Sequence, residues 1–139
     1  MGTLSGIIDN FSTVISSLGY SEQSERVPLR KAVGSHANNT YQIKLGETTR
    51  AEGFFSDDAR LELRSIVMVE IFYKKNFTGK TLYKSLADSR EETIKALEAT
   101  SNQATNQIST DLDRATWEDV DDNIIVDVLE FTTRYKINR

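Results

Sequence analysis

The stretch Leu61-Glu62-Leu63-Arg64-Ser65-Ile66-Val67-Met68-Val69-Glu70-Ile71-Phe72-Tyr73-Lys74 decides how this chain folds. Its odd positions Leu61, Leu63, Val67, Val69, Ile71 and Tyr73 are apolar, while its even positions begin and end charged. That is the period of a β-strand, whose successive side chains point to opposite faces of a sheet. In the middle the even face is apolar too, at Ile66, Met68 and Phe72, so part of the strand is expected to be covered on both sides. At about 3.3 Å per residue it would run for roughly 45 Å, well past the usual strand, and must bend or project.

On the N-terminal side, Tyr41, Ile43 and Leu45 alternate with Gln42, Lys44 and Gly46, which predicts a strand continuing toward Arg50. Residues 50–59 hold the turn formers Gly53, Asp57 and Asp58 around the adjacent aromatics Phe54 and Phe55, and read as a hairpin loop. Further back, Pro28 with Val27, Leu29 and Val33 suggests a loop leading into a short edge strand, where a missing N–H is tolerated. The chain opens on Leu4, Ile7, Ile8, Phe11, Val14, Ile15 and Leu18, spaced as one face of a helix, with Thr3 or Ser5 as cap and Gly19 as stop.

On the C-terminal side, Thr78 or Thr81 can cap a helix through Leu82, Leu86, Ile94 and Leu97. Residues 101–116 are rich in Asn, Gln, Ser and Thr, and Ile108 and Leu112 either extend that helix or anchor a loop. Trp117 and then residues 124–137 form a last strand pattern, with Ile125, Leu129, Phe131, Tyr135 and Ile137 on one face and Asp127 interrupting it. This order predicts an α+β fold over residues 1–139 as one domain: a single antiparallel or mixed sheet with helices packed on one face.

Composition narrows the function. The 139 residues include no cysteine, which removes disulfides and thiolate chemistry. With 17 basic and 21 acidic residues mixed along the chain, the net charge of −4 gives no field to draw it onto phosphates. No basic start, unbroken apolar core or spanning-length apolar run is visible, so a soluble intracellular chain without a membrane partner is expected.

Chemical motifs fail on spacing. Gly79-Lys80-Thr81 resembles the end of a phosphate-binding loop, but the glycine needed five residues before Gly79 is Lys74, so a turn opening a helix explains it. His36 is the only histidine, and neither Asp57 with Asp58 nor Asp119 with Asp121 and Asp122 has calcium-loop spacing. No serine sits in a nucleophile elbow. The expectation is a protein that is not an enzyme and has no catalytic residue, cofactor or metal. Phe54 and Phe55 in their glycine-containing loop either bury into a partner or fold back over the core. With Ile66, Met68 and Phe72 they form the candidate subunit or partner interface.

The order of elements over nearly the whole chain resembles the tail-terminator and tail-completion proteins of long-tailed bacteriophages. The residues carrying the likeness are Leu4-Ser5-Gly6-Ile7-Ile8, Ile66-Val67-Met68-Val69-Glu70-Ile71-Phe72-Tyr73, the helix from Leu82 to Leu97, and Ile124-Ile125-Val126-Asp127-Val128-Leu129-Glu130-Phe131. The resemblance implies a homohexameric ring in the virion, assembled in the host cytoplasm, that caps the tail tube protein and meets the head-side connector protein. DNA would pass through its channel without being read. Head–tail connector proteins of the neck share this size and lack of motifs and are the nearest alternative; a non-viral adaptor domain binding one protein partner is another.

Overall fold

Hydrophobic periodicity builds the two helices. The computed structural model describes residues 3–23, 39–50, 60–75, 79–120 and 122–138. Helix α1, Thr3–Ser17, buries Ile7, Phe11, Val14 and Ile15 along one stripe. It ends where Leu18 and Gly19 bond back to the Ile15 and Ser16 carbonyls; Gly19 has a φ of 99°, a left-handed backbone that a side chain would strain. Helix α2, Gly79–Glu98, buries Leu82, Leu86, Thr93 and Leu97. It begins at Gly79, so Thr81 lies inside the helix rather than capping it.

The strands are β1 (Ser21–Glu22), β2 (Thr40–Arg50), β3 (Arg60–Lys74), β4 (Gln107–Asp119) and β5 (Ile124–Asn138), forming one sheet in the order β1-β2-β3-β5-β4. β1 runs parallel to β2 and every other neighbour is antiparallel, which makes the sheet mixed. The fold class is α+β, as the element order predicts. β3 pairs with β5 from Arg60↔Asn138 to Lys74↔Ile124 without a register shift, so its length is absorbed by an equally long neighbour.

One face of the sheet carries the main core. Val67, Val69, Ile71 and Tyr73 of β3 and Ile125, Leu129, Phe131 and Tyr135 of β5 pack against α1 and α2, with Phe11 and Phe131 meeting edge to face at 5.9 Å. On the opposite face Phe72, Ile124 and Val126 form a second, smaller cluster with Val120 and Val128 beside it.

The largest departure from the sequence reading is residues 101–116. They are neither an extension of α2 nor a surface loop: Thr100–Asn102 is a short 3-10 turn and Gln107 onward is strand β4. The polar residues close the end of α2. Asn102 Nδ2 donates to the Ala96 carbonyl at 2.9 Å, and Gln103 Nε2 to the Leu97 and Ala99 carbonyls at 3.0 and 2.9 Å. Asn106, with a φ of 67°, then turns the chain into β4. Trp117, which the sequence reading set ahead of the last strand, belongs to β4.

Candidate assembly surface

Pairing β3 with β5 sets Ile66, Met68 and Phe72 on the sheet face opposite the helices. Phe72 is fully buried among Ile124 and Val126, whereas Ile66 and Met68 are half-buried. Phe54 and Phe55 lie outside the described residues, as do His36, Asp57, Asp58 and Asp121. Gly46 lets β2 approach this face closely: a Cβ there would stand 3.0 Å from the Ile66 Cβ. The approach coincides with the register shift between Leu45 and Thr48.

Around these apolar residues runs a series of opposite charges, each joining neighbouring strands. Lys44 of β2 reaches Glu70 of β3 at 3.1 Å, and Gln42 Nε2 donates to the same carboxylate at 2.7 Å. Arg134 of β5 bonds Glu62 of β3, and Arg114 of β4 meets Glu130 of β5 at 3.3 Å. Met68, Arg114, Thr116, Glu118, Val128 and Glu130 line a shallow depression of about 310 Å³ on this face. Charges that close on one another in this way stabilise the sheet locally and leave little field at a distance.

The helix-covered face holds its charge differently. Asp127, the interruption in the β5 pattern, accepts bonds from Arg90 Nε to both carboxylate oxygens, at 3.0 and 2.9 Å, and from Arg90 Nη2. The guanidinium lies over the Trp117 ring at 3.9 Å from its centre. Burial pushes the Asp127 carboxyl above its ordinary range, while the hydrogen bonds and charge of Arg90 pull it back. Nearby, burial and the hydrogen bond to Tyr20, 3.0 Å between hydroxyls, push the Tyr73 phenol far above its usual range, so it stays neutral.

Arg90 is held by Trp117 and Asp127 inside the fold, and Lys80 and Thr81 stand exposed on α2. Among the described residues no three His, Cys, Asp or Glu side chains gather to hold a metal, and no helix is long and apolar enough to cross a membrane. Sequence reasoning missed Arg90 and β4 as parts of this architecture. The signal for Arg90 was Asp127 itself, since a carboxylate on a core face requires a partner.

The sequence matches no protein-family model and none of the curated proteins with which it was compared. Among solved structures, a chain in the virion of a native gene transfer agent particle has the same fold, with a TM-score of 0.53 at 12% identity. The likeness covers 98% of this chain and 96% of that one.

Proposed function

We propose that this chain is a structural subunit of a phage-like virion, a tail terminator that caps the tail tube and joins it to the head-side connector as an oligomeric, hexameric ring. The observation that carries the reading is the fold likeness to a gene transfer agent virion chain over nearly the full length of both. The family resemblance of the element order points the same way. The acidic balance of the chain, net −4, suits a ring through which DNA slides, because a strongly cationic lining would hold the phosphates. Ile66 and Met68, half-buried in the single chain, are the apolar residues that a neighbouring subunit would cover on the helix-free face, while Phe72 is buried further along the same strand.

The test is assembly. Purified protein, alone and mixed with tail tubes, is measured by light scattering after size exclusion and imaged in negative stain. Rings with a central hole, or tubes capped at one end, are expected. Protein that stays monomeric at every concentration and leaves tube ends bare overturns the reading, and binding only to the head-side connector moves it to the neck.

A further inference from the structure

Strand β4 is an edge of the sheet, and its two halves differ. In the first half the register shifts between Gln107 and Ser109 and again between Leu112 and Arg114. There the Leu112 N–H is also taken by Glu98 Oε2 of α2 at 2.7 Å. Bulges and caps of this kind stop an edge from recruiting another strand. From Arg114 to Asp119 neither device operates, and the register with β5 is continuous.

The bond from Val120 N–H to the Ile124 carbonyl, 3.0 Å, fixes the phase of the ladder. Bonded and non-bonded residues alternate along an antiparallel pair. Arg114, Thr116 and Glu118 therefore bond inward to β5, while Ala115 and Trp117 direct their N–H and C=O groups outward. No hydrogen bond among the described residues reaches those outward groups.

We propose that this open edge is an interface for a second copy of the same chain, paired antiparallel about a two-fold axis at Thr116. That axis sets Ala115 of each copy opposite Trp117 of the other, matching the outward groups, and the pairing stops there, because the next outward residue, Asp119, would face Asp113 at the bulge of the other copy. On the helix-free face it sets Arg114 opposite Glu118 twice, in the closer, non-bonded class of pair. Arg114 is paired with Glu130 at 3.3 Å, but its side chain is 75% exposed, so Glu118 of the second copy competes for it in an exposed, weakly held pair. Other axes lose the charge match: one at Trp117 puts Arg114 opposite Val120, and one at Glu118 puts the two glutamates against each other. The contact is isologous, so it joins free subunits in pairs and does not itself build a cyclic ring. It stands or falls separately from the tail-terminator reading.

The test is a charge swap read by sedimentation mass and by amide hydrogen exchange across a concentration series. Wild-type protein should dimerise, with exchange at Ala115 and Trp117 slowing as concentration rises. Glu118→Arg should weaken the pairing roughly tenfold or more, because two attractive pairs become repulsive. Combining it with Arg114→Glu should restore pairing, and added salt should weaken the wild type. A wild type that stays monomeric, or any oligomer whose mass and amide exchange ignore Glu118→Arg, overturns the proposal. A ring unaffected by the swap would do so while leaving the tail-terminator reading intact.

Discussion

The two faces of the sheet use the same chemical pair in opposite settings. Between α2 and the sheet, Arg90 and Asp127 have side chains only 20% and 1% exposed; on the other face, Arg114 and Glu130 are 75% and 24% exposed. Ion pairs gain strength as water is excluded, but each charge then depends on its partner for solvation. The buried pair thus fixes how α2 docks, by tying Arg90 to the strand beneath it, and the exposed pair only trims the surface. Arg134 with Glu62 stands between them, one end half-buried and the other fully buried.

Removing one side of each pair should break or uphold this contrast. Arg90→Met leaves Asp127 buried without its cation and should cost about 3–5 kcal/mol in urea unfolding. Replacing both partners, Arg90→Met with Asp127→Leu, should recover most of that loss, since the penalty lies in the orphaned charge. Equal urea midpoints for Arg90→Met and Arg114→Ala would show that burial does not separate the pairs.

A smaller effect sharpens the comparison through pH. Burial raises the folded-state value of Asp127 above that of the unfolded chain, so the native state binds the proton more tightly. The stability difference between wild type and Asp127→Asn should then be largest below about pH 4 and fall as pH rises through the folded value. Paired denaturation curves from pH 3 to 7, about one unit apart, measure it. A difference that grows with pH would mean that Arg90 outweighs burial. The smallest effect belongs to Arg114→Ala, which should cost at most about 1 kcal/mol, as exposed pairs do, and should shrink with salt.

Legibility in the sequence followed the regularity of the pattern. β3, β5 and both helices were readable because each keeps one period along its length, with single polar interruptions at Ser65 and Asp127 that do not shift the phase, and Ile66, Met68 and Phe72 were readable as a second apolar face for the same reason. β4 was hidden by its bulges. Leu112, Ala115 and Trp117 are all half-buried, but the step from Leu112 to Ala115 is three residues, so the period of two fails where the register shifts. Its first half is also polar for cause: buried Thr110 and Thr133 join Gln107 and Gln103 in a hydrogen-bonded group that looks like loop composition in one dimension.

The sequence by itself determined the α+β class, the amphipathic helices and the long central strand, because periodicity is a local property that the backbone geometry of each element imposes. Only the tertiary structure decided the strand order, the partner of Asp127 and the open stretch of the β4 edge. Those depend on which distant segments lie side by side: Arg90 stands in α2 and Asp127 in β5, with the whole of β4 between them in the chain. A charge on a core face announces that it needs a partner, but the partner's identity is settled only when packing brings the two together.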